Sequence, residues 1–333
     1  MFVCLKNIFA SDAFDTIILR DYATLSPQAQ EVFRHVAAME ASGIHVHRQL
    51  VIRILNIPAQ SIGGLLDGLT DIVHEWEHSS KLGIFSWRCR HHVIANIISK
   101  YKFKDSGRLI RLFEDVIDNI NPTYDLEIRS LRQLCNTDGG IPRIPDLTVQ
   151  NRLLAKMISR APGERVPRHR LIRNLIEMRS FGTAQTEIRL FEKDFGKEGP
   201  VHRYSIKLMI ARAIYTEGIM TDDRVAMLEE AHDLAVTGAA RFSSNKHILK
   251  AYGELGIEYY KLTGSLEYFD EAMVLLKDAE GRLGDPQITQ IIGNFTRRLA
   301  GNWSDLADDG IDDEFTLEKD DTASDIDDEL ISG

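Results

Sequence analysis

Cysteine is scarce in this 333-residue chain: Cys4, Cys89 and Cys135 stand far apart, without C-x-x-C spacing. A disulfide framework and a cysteine zinc site are therefore excluded, and a reducing, cytoplasmic setting is expected. Long apolar runs are missing too. The roughly 20 residues that span a bilayer occur nowhere, and Lys6, Asn7 and Asp12 interrupt the N-terminal stretch before it reaches a signal h-region, so neither a membrane span nor secretion is expected. The motifs of common catalytic loops are also lacking. There is no G-x-x-x-x-G-K-[ST], Gly63, Gly64 and Gly68 come without the lysine, and no G-x-S-x-G or post-strand G-x-G-x-x-G occurs. This chain is expected to be non-enzymatic and to carry no cofactor of its own.

What is present is an ordinary core-forming composition, 44% apolar and 27% charged, with a net charge of −10. That charge is unevenly placed. Residues 304–333 hold thirteen Asp or Glu against Lys319, a net of −12, which leaves residues 1–303 near +2. The last 32 residues, 302–333, have too few large apolar side chains to offset their ordering entropy. They are expected to form an acidic disordered tail that solubilises the chain or docks as an autoinhibitory segment.

The body is expected to be mainly α. After an N-terminal extension (1–14), residues 15–104 predict a winged-helix-like domain. Ser26 and Pro27 open a helix along Val32, Phe33, Val36 and Ala37, and helices follow at about 48–55 and 62–76. An alternating stretch at 81–88 then precedes a helix near His91, while the first strand of the wing has to be sought around 72–76. Residues 105–301 predict a tetratricopeptide-like α-solenoid, with Gly/Pro/Asn loops every 16–22 residues. Tyr252, Leu255, Gly256, Tyr259, Ala272 and Ala279 follow the order of that repeat, with Pro286 after them. Gly256 and Ala272 are expected where the two helices approach most closely.

Three clusters could carry chemistry. H-E-W-E-H, His74 to His78, satisfies H-E-x-x-H; on a helix the two histidines would share a face for zinc, with Glu75 as base. Glu77, an early helix end and the lack of a third ligand count against a peptidase. W-R-C-R-H-H, residues 87–92, places Arg90 and His91 at a helix start, where N–H groups favour an anion. The stretch 161–173 is dense in arginine around two prolines, and Arg165, Arg168, His169 and Arg170 are candidates for partner binding or for bracing a loop. Nucleic acid is not expected there, because no aromatics interleave and the body is nearly neutral.

The stretches 21–33, 87–98, 120–136 and 161–172 (D-Y-A-T-L-S-P-Q-A-Q-E-V-F, W-R-C-R-H-H-V-I-A-N-I-I, I-N-P-T-Y-D-L-E-I-R-S-L-R-Q-L-C-N, A-P-G-E-R-V-P-R-H-R-L-I) together resemble one family. It is the region C-terminal to the NTPase core of bacterial STAND-type P-loop proteins, several of them antiviral defence sensors. The resemblance spans roughly residues 15–283. It implies a winged helix followed by a ligand-sensing helical array, with an effector and an NTPase supplied elsewhere, here on a partner chain. It also implies that His91, preceded by Arg90, contacts the β-phosphate of ADP held by that partner, although His92 stands where the family often has an acidic residue. The expected function is a sensor and scaffold module that docks on a STAND-type NTPase and binds a protein or peptide on its repeats, in bacterial defence or signalling. The alternative is a DNA-binding winged-helix regulator whose recognition helix, 62–76, carries Asp67, Asp71 and Glu75 without Lys or Arg.

Overall fold

The computed structural model describes residues 11–79 and 83–299, with side chains from Phe14. Cys4, most of the N-terminal extension and the acidic tail lie outside the described residues. The fold is mainly helical, with fifteen helices and one two-stranded sheet among the described residues. No described helix is long and apolar enough to cross a membrane. The chain divides into two compact units between Pro167 and Arg168.

The first unit opens with α1 (Ser11–Thr24), α2 (Pro27–Ala41), α3 (Arg48–Leu55) and α4 (Ile62–Gly68). Ser26 caps α2, its hydroxyl accepting from the Ala29 N–H, and Pro27 supplies the first turn. Val32, Phe33, Val36, Ala37 and Met39 then recur at helical spacing and are buried.

The strands β1 (Val73–Ser79) and β2 (Ile84–Cys89) pair antiparallel, from Val73 opposite Cys89 to Ser79 opposite Ile84, with an irregularity between Glu77 and Ser79. On β2, the Trp87 N–H also donates to the Val46 carbonyl, and His47 bridges Ser86. Trp87, fully buried, anchors the hairpin. The helix expected over 62–76 therefore ends at Gly68. Leu65, Leu69, Ile72, Val73 and Trp76 have helical spacing, but Asp71 adopts a left-handed φ of 68° and the next residues find partners across β2.

Next come α5 (His92–Lys102), α6 (Ser106–Asn119), α7 (Asp125–Asn136) and α8 (Leu147–Arg160). Helix α5 packs on α2, while α6 packs on both α3 and α8, so the first helices beyond residue 105 share a unit with the N-terminal elements.

The division falls in the first turn of α9 (Val166–Glu177). The second unit continues with α10 (Phe181–Phe195), α11 (Gly199–Tyr215), α12 (Thr221–Arg241), α13 (Lys246–Thr263), α14 (Glu267–Leu283) and α15 (Pro286–Leu299). From α10 onward consecutive helices pack, and α13 also touches α11 and α15. Each helix thus buries its apolar face against near neighbours in sequence. Asn245 caps α13 through the N–H groups of His247 and Ile248, and Gly264 and Gly284, at positive φ, end α13 and α14.

Small residues set the spacing. Ala231 and Ala235 of α12 pack with Ile206, Ile210, Tyr252, Leu255 and Ala272. A Cβ on Gly256 would lie 2.5 Å from both Cα and N of Phe269, so α13 and α14 touch backbone to backbone there. Gly293 is the opposite case, lying inside α15 with nothing near its missing Cβ. Gly293→Ala is expected to stabilise the second unit by about 0.5–1 kcal/mol by limiting the unfolded chain. A thermal melt should show a small rise; a fall would mean that this turn of α15 is not the open helix described.

Candidate functional site

The two-histidine face that H-E-W-E-H would offer on a helix does not form. His74 and His78 stand on β1, not on a helix, so about 13 Å of strand separates them, against roughly 5–6 Å for residues one helical turn apart. Glu75, the expected base, accepts instead from Trp87 Nε1 at 2.9 Å and Arg48 Nη1 at 3.0 Å. It holds the indole of the hairpin anchor in place. Among the described residues, no group of three His, Cys, Asp or Glu could hold a metal ion. The expected recognition helix is likewise shortened to seven residues: Asp67 remains on it, Asp71 lies in the turn and Glu75 is on β1.

Arg90 and His91 do stand together at the start of α5. The His91 Nδ1 accepts from the Val93 N–H at 3.2 Å, which caps the helix and puts the ring proton on Nε2. Its ring stacks on His92 with centroids 4.6 Å apart. The Arg90 side chain is exposed, 3.9 Å from Asp71.

The arginine-rich stretch is divided. Arg165 is exposed in the first unit, whereas Arg168, His169 and Arg170 belong to the second. Arg168 pairs with Asp194 at 3.0 Å and lies over the Phe195 ring. His169 is buried against Phe191 and Tyr204, 3.8 Å from Glu198, and Arg170 is half-buried. Arg168 and His169 therefore brace the fold of the second unit.

Two side-chain clusters were not foreseen from the sequence. In the first unit, Glu127 is fully buried and accepts from His47 Nδ1 (2.5 Å), Arg53 Nη2 (2.5 Å) and the Asn121 N–H (2.6 Å). Burial alone would raise its pKa, but these donors together hold the carboxyl below its ordinary value. In the second unit, Glu271 of α14 accepts from the Tyr252 hydroxyl of α13 and from His232 Nε2 of α12, the latter at 2.9 Å. The His232 ring stacks on Tyr268 at 3.7 Å, and Tyr268 on Tyr259 at 4.2 Å. Burial, then the neighbouring Tyr259 and carboxylates, push the Tyr268 phenol up to about 12. These groups satisfy one another, so the cluster ties three helices together.

A concave feature that gathers side chains from several helices is a groove of about 410 Å³ in the second unit. It is built from the end of α9, the adjoining Arg179, one face each of α11 and α13, and Arg298 of α15, so alternate helices contribute to a single surface. Ile210, Ile214 and Ile257 provide an apolar floor, and Arg179 lies over the Tyr215 ring at 4.2 Å. Ile214 is 36% and Tyr215 48% exposed, large values for apolar side chains side by side. Lys207, Lys250 and Arg298 add positive charge. Of the groove's acids, Glu254 faces Lys207 at 3.7 Å and Glu258 pairs with Lys261 at 2.5 Å. An apolar floor with charged walls and this volume suits a short peptide segment. Compared with protein-family models, curated proteins and solved structures, the chain finds no match.

Proposed function

We propose that the chain is a non-enzymatic binding module whose second unit, a tetratricopeptide-like array, takes a segment of a protein partner in the groove between α9 and α15. The observation that carries this reading is the convergence of four alternate helices on one apolar, cation-walled surface. In the same proposal the first unit is a winged-helix-like domain. Its helix–hairpin–helix order and the Arg90–His91 pair at the start of α5 support docking on a STAND-type NTPase and sensing of the phosphate of its bound nucleotide. The setting would be bacterial defence or signalling in the cytoplasm. The seven-residue α4 contains no Lys or Arg, which favours a protein partner over DNA for this unit.

The test is an affinity capture with the full chain, with and without ADP or ATP, repeated with Ile214→Glu/Tyr215→Glu. Both residues are surface groups, so the variant is expected to keep the wild-type circular dichroism. It should hold the captured partner at least about tenfold more weakly, as expected when an interface loses an anchor of 1.4 kcal/mol or more. Equal capture would overturn the groove reading.

The phosphate-sensing role is tested in the captured complex with His91→Asn, because asparagine still caps α5 while the imidazole is gone. Faster ADP release and raised basal activity are expected; unchanged values in a complex shown to assemble would overturn the role.

A further inference from the structure

We propose that, in the absence of a partner, the groove of the second unit is occupied by the acidic segment of the same chain, residues 304–333. This rests on the groove being a peptide site and assigns its first occupant. Charge is the first reason. Among the described residues neither Arg179 nor Arg298 forms an ion pair, although both line the groove, and Lys207 and Lys250 stand on the helices between them. Two of the three groove carboxylates face lysines, which leaves Glu177 as the third. Arg179 and Arg298 therefore offer cations beside an apolar floor. The acidic segment offers the complement: Phe315 directly follows Asp312, Asp313 and Glu314, with Leu317 two residues further on, and Leu330 and Ile331 directly follow Asp327, Asp328 and Glu329.

Connectivity is the second reason. Arg298 lies one residue before Leu299, where α15 ends, so that helix ends beside the groove. Fifteen residues separate Leu299 from Phe315, enough to reach roughly 50 Å when extended, several times the length of a cavity of this size. A tether of that length holds the segment at an effective concentration on the order of millimolar. Even weak intrinsic affinity then fills the site, and an outside ligand must displace the segment. By the same chemistry, the partner segments that compete best are acidic peptides with interspersed large apolar residues.

A fluorescent peptide of residues 304–333 tests this by anisotropy against three full-length proteins. These are the wild type, a variant with the thirteen acidic residues of the segment changed to Asn or Gln, and that variant with R179E/R298E added. The neutralised chain is expected to bind the peptide at least about tenfold more tightly than the wild type, because its own segment no longer competes. The added R179E/R298E should abolish binding while circular dichroism stays unchanged. Equal affinity of the wild-type and neutralised chains, failure of the neutralised chain to bind, or binding that survives R179E/R298E would each overturn the proposal. A wild-type dimer in sedimentation that dissociates on neutralisation would place the segment in a neighbour's groove, and would overturn docking within one chain. If the peptide fails to bind while Ile214→Glu/Tyr215→Glu still weakens partner capture, this inference falls and the groove reading stands. If that variant captures its partner as well as wild type, the groove reading itself has failed.

Discussion

Replacing Glu127 by alanine is expected to destabilise the first unit by about 3 kcal/mol, because it removes the shared acceptor of a buried donor cluster. His47 is also buried, so its Nδ1 would lose its partner without gaining water, and the Asn121 N–H would lose its acceptor. Arg53 is a third exposed and can turn to solvent, so its share is discounted. Arg53 Nε also donates to the Asn119 carbonyl, which ties α3 to the end of α6. Denaturant unfolding followed by tryptophan fluorescence, to which the buried Trp87 of this unit contributes, measures the change. A shift below 1 kcal/mol would show that the three donors find other partners.

The same residue makes a signed prediction for pH. The folded Glu127 carboxyl titrates below its unfolded value, because the donors outweigh burial. Its contribution is therefore complete above the unfolded pKa of about 4.3 and is lost as pH falls through the lower folded value. Glu127→Gln should flatten the acid limb of the stability profile; an unchanged limb would assign acid sensitivity to other groups.

Gly256→Ala is expected to have the largest effect in the second unit. The new methyl would lie 2.5 Å from two backbone atoms of Phe269, and a backbone cannot change rotamer to make room. Helices α13 and α14 must separate, which loosens Tyr252, Leu255 and Ala272, all fully or nearly fully buried. Overpacking of this kind costs about 1–3 kcal/mol, more than the roughly 1 kcal/mol of helix propensity gained on replacing glycine. Gly256→Leu should leave the unit unfolded or only partly folded. Thermal melts, with hydrogen exchange localised to α13 and α14, would show it; a wild-type melting temperature for Gly256→Ala would contradict the close approach.

Much of the helical framework was legible because it is local. Ser26–Pro27 marks the start of α2, the expected 48–55 helix matches α3, and Gly256 was singled out for a close approach that the structure places against Phe269. The strand β1 was less so, because its apolar residues share helical spacing with α4 and only pairing with β2 decides between the two. Misplacing β1 also created the apparent two-histidine face. The Glu127 cluster joins residues 74 to 80 positions apart, and no local pattern announces such a pairing. The groove was out of reach for a related reason. Its residues look like ordinary helix positions until alternate helices are laid side by side, whereas the arginines that stood out in the sequence, Arg168 among them, are partly absorbed by packing.

The arrangement from α10 to α15, in which consecutive helices pack and α13 also meets α11 and α15, would behave mechanically like a coil spring. Bending or stretching is shared among many small interfaces, none of which has to break. An occupant lying along the groove spans turns of that spring from α9 to α15 and acts as a chord across it, converting compliance into rigidity. Filling and emptying the groove would then change the stiffness of the whole second unit with little change in any single helix, a signal that can be passed to whatever the unit is attached to.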